Sequence, residues 1–293
     1  MSSGGHGDGH GDGHGGVPYS DLDRPPLDAA ALRRSLGAGR PGSWWTAADV
    51  VATSGSTNVD LAERAGAAAT AAGATVLVAE HQTAGRGRRG RSWQAPARAA
   101  LTLSVLVRPV VPAERWSWLP LLAGVAVAEA VERTTGVQAR LKWPNDVVVD
   151  DRKLAGVLLE RVESRPGPAA VIGVGLNVSL RREELPVPTA SSLLLETGAA
   201  VDRQPLLLAV LRTLEALYLA WSETAGDPLA GLQASYVRRS ATVGRSVRVA
   251  LPDGSSLSGS AESVDSAGRL VVATGTGRRT LSAGDVMHVR PVV

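Results

Sequence analysis

The chain is predicted to form an α+β fold, a mixed, largely antiparallel sheet covered by helices and followed by a small β-barrel. Three strand-like runs, DVVV, KLAGVLLERV and AAVIGVGLNV, succeed one another across short polar turns at 150–152 and 164–168, so they form an antiparallel meander. Two long stretches, 116–134 and 205–222, carry apolar residues in the manner of helices that cover a sheet. Beyond 231 the pattern changes to short strands between Gly, Asp and Ser turns, as in SVRVALPDGSSLSG, which suits a barrel of about five strands.

In chain order, residues 1–16 repeat His-Gly-Asp-Gly with His6, His10 and His14 four apart, a composition with no means of burying apolar surface. Residues 1–26 are therefore expected to be a disordered tail and linker, and their glycine backbone does not preorganise the imidazoles for a metal. Only one short helix fits 27–36 before Gly37 and Gly39, too little for a helix-turn-helix, so a DNA partner is not expected. A strand from Asp49 (DVVAT) leads into GSTN, where Ser56 or Thr57 caps an Ala-rich helix running to about residue 72. ATVLVAE then reads as a buried strand, and LTLSVLV as one that turns Leu101, Leu103, Val105 and Val107 toward the core. A domain of 27–235 followed by a barrel of 236–293 is the expected division.

Composition narrows the function classes. The 293 residues contain no cysteine, which excludes disulfides, thiolate nucleophiles and Cys-ligated metals and fits a reducing, cytoplasmic setting. No membrane association is expected, because the longest apolar stretch, 119–131, is interrupted by Pro120, Gly124 and Glu129. A net charge of +3 gives no global basic field. Phenylalanine is absent, so the seven tryptophans are candidates for stacking or anchoring.

Basic character is concentrated at 85–93, GRGRRGRSW, which puts four arginines and three glycines into seven residues before an indole. Glycine lets backbone N–H groups approach an oxyanion, and guanidinium forks match carboxylate and phosphate. Alone, such a loop also reads as a solvated or nucleic-acid-binding patch. Four further segments suit an anionic, adenine-like ligand: GSTN (55–58), KWPND (142–146), KLAG (153–156) and GVGLNV (173–178).

In this order and spacing, over roughly 50–290, the segments resemble those of the biotin protein ligases. Those enzymes activate biotin with MgATP and attach it to a lysine of a carboxylase carrier domain. The resemblance implies biotin, ATP and Mg²⁺ as substrates, no prosthetic group, biotin carboxyl carrier domains of acyl-CoA carboxylases as partners, and an SH3-like C-terminal barrel. It assigns the biotin head group to Ser56, Thr57, Asn58 and Gln82, whose hydroxyls and amides suit a ureido ring. By the same resemblance Arg86, Gly87 and Arg88 contact the biotin carboxylate and adenylate phosphate, Arg89 and Arg91 are outer contacts, and Trp93 flanks the adenine side. Lys153 is the catalytic cation, with Arg88 and Asp146 beside it, and Gly156 gives the ligand backbone access. If the hairpin turns at Asp150 and Asp151, Lys153 lies opposite Val148 and diagonal to Asp146.

Lys142, Asn145 and Asp146 serve Mg²⁺-nucleotide contacts or position the incoming lysine, and Asp146 alternatively takes its proton. No side-chain metal motif is present apart from Asn145 or Asp146 as oxygen donors. Asn177, on a strand with Gly173 and Gly175, reads an adenine edge. The loop is expected to order over the adenylate. Competing readings are a lipoate ligase, whose signature lacks the Arg loop, and a biotin-sensing regulator or nucleic-acid binder.

Overall fold

The predicted meander runs from the central strand toward one edge of a seven-stranded sheet. The computed structural model describes residues 24–66, 73–165, 167–282 and 284–288. The His-Gly-Asp tail lies outside them. Asp28 caps α1 (Ala29–Leu36) by accepting from Ala31 N at 2.8 Å, and Gly37 closes it at φ 63°. β1 (Trp45–Val51) precedes α2 (Thr57–Ala65), β2 (Ala74–Ala79) and β3 (Ala100–Val107). α3 (Leu119–Thr135) leads to β4 (Arg140–Lys142), β5 (Asp146–Val149), β6 (Arg152–Val162) and β7 (Ala169–Asn177). The sheet order is β1-β2-β3-β7-β6-β5-β4, with β1 and β2 parallel and every other pair antiparallel.

α4 (Leu193–Thr197), α5 (Arg203–Glu223) and α6 (Leu232–Arg239) precede a second sheet of β8 (Ser246–Ala250), β9 (Ser256–Val264), β10 (Leu270–Thr274), β11 (Gly277–Leu281) and β12 (Asp285–His288). Its order is β11-β10-β9-β8-β12, an antiparallel SH3-like arrangement of the expected five strands.

All eight residues of β3 are buried; α2 packs over β2, β3 and β7 on one face of the sheet, while on the other α3 lies against β4 to β7 with α5 packed on it. Leu101, Leu103, Val105 and Val107 join the main core, as their alternation implied; Leu106 packs with Leu61 and Ala65 of α2. α5 is long and apolar enough to span a bilayer, yet Leu206, Leu207, Val210, Leu211 and Leu214 are buried and it packs on α3 as a core helix.

Several boundaries differ from expectation. β1 starts at Trp45, four residues before the expected Asp49, because the Trp45 ring is fully buried and its indole N–H donates to Glu215 at 2.8 Å. α2 stops at Ala65 with Gly66 as its C-cap; residues 67–72, where its end was expected, lie outside the described residues. α3 begins at Leu119 after a 3₁₀ turn over Ala113–Trp118, since Pro120 fits a first turn where its missing N–H costs nothing. Five of the seven tryptophans, at 45, 116, 118, 143 and 221, are core residues, filling volume that phenylalanine would supply elsewhere.

Candidate functional site

Parallel strands β1 and β2 end at the same edge of the sheet, so the loops that follow them emerge together. A bridge between Ser54 and Gln82 extends the ladder, and Thr83 N and Ala84 N donate to Ser54 O and Gly55 O at 3.0 and 2.8 Å. GSTN and the Arg loop therefore lie side by side.

The floor is set by register. On the face opposite α3, one row runs Thr102, Gly175, Gly156 and Asp146, and the next runs Ser104, Gly173 and Leu158. The glycines leave space that side chains occupy from above: a Cβ at Gly175 would run into the Trp93 indole, and one at Gly173 into the Asn58 amide. A Cβ at Gly156 would lie 3.1 Å from Lys153 Nζ and 3.6 Å from Trp93. The flat ring that the small residues admit is thus the chain's own indole. Its Nε1–H is buried with no hydrogen-bond partner among the described residues.

At the head of α2, Ser56 holds the N-cap position but makes no side-chain cap bond. Gln82 replaces it, its Oε1 accepting from Thr57 N at 2.8 Å. Both expected capping residues are thereby left to other contacts, and Ser56, Thr57, Asn58 and Gln82 all line one cavity.

The Arg loop closes as a hairpin: Gly87 N donates to Arg91 O at 2.7 Å and Trp93 N to Gly85 O at 2.8 Å. Gly90 turns it at φ 72°. Each arginine has an anchor. Arg86 faces Glu160 at 3.2 Å, Arg88 Nη1 donates to Asn145 Oδ1 at 2.9 Å, and Arg89 and Arg91 both reach Asp285 of β12. Burial, and next the neighbouring Arg89 charge, lower the Arg88 guanidinium below its ordinary value. Arg86, Gly87, Arg88, Arg89 and Arg91 line the same cavity as Thr57.

Asp150 and Asp151 take φ 47° and 65°, as a two-residue primed turn requires, and place Lys153 opposite Val148. Lys153 Nζ sits 2.6 Å from Asp146 Oδ1 and 6.0 Å from the centre of the Trp93 ring. Asn145 binds β6 through Val157, donating from Nδ2 to its carbonyl at 2.9 Å. Lys153, Asp146, Asn145, Trp93 and Gly156 all face the cavity.

Two expected residues are not brought there. Asn177 is buried and its Nδ2 donates to Ser191 O at 2.9 Å, so this amide is engaged in holding the segment before α4. Lys142 faces Asp146 in the β4–β5 ladder but lies outside the cavity lining, its charge acting on His288. Among the described residues, no three His, Cys, Asp or Glu gather as a metal cage. Reading the sequence missed Ser104, Glu160 and Asp285. The first two carried a faint signal, as polar residues in apolar strands; Asp285 carried none.

Comparison with known proteins bears on this site. The biotin/lipoate A/B protein ligase family model matches residues 50–177, and the biotin protein ligase C-terminal domain matches 242–289. The biotin–[acetyl-CoA-carboxylase] ligase of Mycobacterium tuberculosis is 48% identical over 275 residues, 92% of this chain and 98% of that protein. Its namesake in Paracoccus denitrificans is 34% identical over 221 residues, 73% of this chain and 90% of that one. Among solved structures, the biotin protein ligase of Aquifex aeolicus in complex with biotin and ATP matches with a TM-score of 0.70 at 27% identity, covering 84% of this chain and 100% of that one.

Proposed function

Since the chain belongs to the biotin/lipoate A/B protein ligase family and is a ligase, we propose that it converts biotin and MgATP to biotinyl-5′-AMP and pyrophosphate. It then passes the biotinyl group to the ε-amine of a lysine on the biotin carboxyl carrier domain of an acyl-CoA carboxylase. The supporting observation is one cavity lined both by Thr57, Asn58 and Gln82 and by Lys153, Asp146 and Arg88. A ureido ring suits the first set and two anions suit the second.

The proposed roles follow from position. Ser56, Thr57, Asn58 and Gln82 hold the head group. Arg86, with the Gly87 backbone, takes the carboxylate, and Arg88 the α-phosphate. A carboxylate oxygen attacks the α-phosphorus and pyrophosphate leaves; Lys153 neutralises charge that builds on the phosphoryl oxygens. Trp93, lying on Gly156 and Gly175, covers the mixed anhydride and keeps water out. The carrier lysine enters as an ammonium, loses a proton to Asp146, and its free amine attacks the acyl carbon as AMP departs. Asn145 keeps Arg88 in place, and Arg89 and Arg91 act as outer contacts tied to Asp285. Mg²⁺ would come as part of the ATP substrate, and Asn145 and Asp146, which contact Arg88 and Lys153, would supply the side-chain oxygens for it.

A catalytic domain from 27 and a C-terminal barrel domain are proposed, with the boundary set after α6, because the expected 235/236 division falls inside that helix, and the cytoplasm is proposed as their location. No DNA or membrane partner is proposed. A nucleic-acid grip is not favoured, because the four loop arginines already face Glu160, Asn145 and Asp285.

The test is mass spectrometry of a recombinant carrier domain incubated with the protein, biotin and MgATP. One biotinyl group added, only with ATP and insensitive to moderate salt, supports the reading. Transfer of lipoate instead, or no modification, overturns it.

A further inference from the structure

A continuous path of polar contacts runs beneath the cavity from Gln82 to Arg86. Thr57 Oγ1 lies 2.7 Å from Ser104 Oγ, Ser104 Oγ donates to Asn58 Oδ1 at 2.5 Å, and Asn58 Nδ2 donates to Glu160 Oε2 at 2.8 Å. The other oxygen of Glu160 faces Arg86 Nη1 at 3.2 Å. Ser104 is fully buried and Asn58 nearly so, so neither borrows a partner from solvent.

The carboxylate fixes the direction of every link. An ionised carboxylate only accepts, so Asn58 must turn Nδ2 toward Glu160 and Oδ1 toward Ser104. Ser104 has one proton and spends it on Asn58, so it can only accept from Thr57. Thr57 in turn has one proton. Its contact with Ser104, at 2.7 Å, is shorter than that with Gln82 Oε1, at 3.1 Å, and Gln82 Oε1 is already served by Thr57 N. With its proton committed, the Thr57 hydroxyl offers the cavity a lone pair.

We infer that Glu160 is a positioning residue: at the end of this path it fixes the Thr57 hydroxyl as an acceptor for a ligand N–H and holds Arg86 over the same cavity. It stands two residues beyond Leu158 on β6, on the face that carries Gly156, opposite Val171. One carboxylate thus couples the end of the site suited to a urea N–H to the cation suited to the carboxylate of the same molecule. The inference deepens the ligase reading and rests on it.

The experiment is biotin-dependent ATP–pyrophosphate exchange by the full chain, with Glu160→Gln and Glu160→Asp. Glutamine keeps the shape but offers one acceptor oxygen to two donors, so its NH2 must face either Asn58 Nδ2 or Arg86 and one of the two contacts is lost. We expect a KM for biotin raised about tenfold, the scale of one hydrogen bond to a charged group, with kcat changed far less and the KM for ATP unaltered. Glu160→Asp, which restores an acceptor, recovers part of that loss. Equal kinetics for wild type and Glu160→Gln overturn the inference. So does a fall in kcat and ATP affinity alongside a lowered Tm, which marks Glu160 as merely structural. A wild type that shows no exchange with biotin refutes the ligase reading itself, and is told apart because the unsubstituted chain is then silent.

Discussion

Lys153 Nζ lies 2.6 Å from Asp146 Oδ1, although in the β5–β6 ladder Lys153 pairs with Val148 and Asp146 with Gly156. A shift in register after Val147 inserts one extra residue on β6, and the missing side chain of Gly156 opens the path along which Lys153 reaches back. The pair places a cation and an acceptor within one contact of each other, which suits two half-reactions that need them separately.

Lys153→Ala is expected to slow pyrophosphate release by about 10²–10³-fold, the scale of losing one preorganised charge at a reacting centre. Asp146→Asn is expected to slow transfer to the carrier more than adenylate formation. Measuring the half-reactions separately decides the matter: an equal loss in both for Asp146→Asn would contradict its role as proton acceptor.

Gly175→Ala is expected to destabilise the protein by about 1–3 kcal/mol, the usual cost of overpacking, because the new methyl meets the Trp93 indole. Urea unfolding of Gly175→Ala, Trp93→Ala and the double variant isolates the cause. If the penalty persists in full once the indole is gone, the clash is not with Trp93.

The meander, its turn at Asp150 and Asp151 and the facing of Lys153 with Val148 were legible because turn chemistry and period-two alternation are local signals. The extra residue on β6, Leu154, was not, since an apolar residue among apolar neighbours carries no mark of a bulge. Asp285 could not be read either: it meets Arg91 across 194 residues, and no periodicity encodes a contact between a loop and a strand of the second sheet. The replacement of Ser56 by Gln82 as the cap of α2 likewise depends on the parallel ladder that sets the two loops together. Asn177 shows the reverse case, a residue whose type fits adenine while its amide holds the backbone of Ser191.

Glu80 and Arg203 pair at 2.6 Å with side chains 8% and 5% exposed, and Glu80 also accepts from Leu27 N at 2.6 Å. Arg203 Nη2 donates to Pro25 O at 2.7 Å, so the pair fastens the segment before α1 to the start of α5. Removing one member of a buried pair leaves the other charge uncompensated. Glu80→Ala is therefore expected to cost about 3–5 kcal/mol in urea unfolding, whereas a loss under about 1 kcal/mol would mean that water reaches Arg203.

Stability should also depend on pH through the contact between the β5–β6 turn and β12. His288 Nδ1 lies 2.8 Å from Asp151 Oδ1, Arg245 donates to both oxygens at 3.0 Å, and Thr242 Oγ1 lies 3.4 Å from the other ring nitrogen. Burial, joined by the charges of Lys142 and Arg245, lowers His288 below 6.5 despite Asp151. For Asp151, burial acts upward, but hydrogen bonds from His288 and Arg245 outweigh it and hold the carboxyl below 3.8. Both groups bind protons more weakly when folded, so both contributions are present at high pH and disappear on acidification. The His288 contribution is complete above about pH 6.5 and falls as pH drops through its lowered value, and that of Asp151 falls below about pH 3.8. Thermal unfolding from pH 8 to 5 should show Tm declining below about 6.5, with a shallower decline in His288→Gln. Parallel curves for the two proteins would place the titrating group elsewhere.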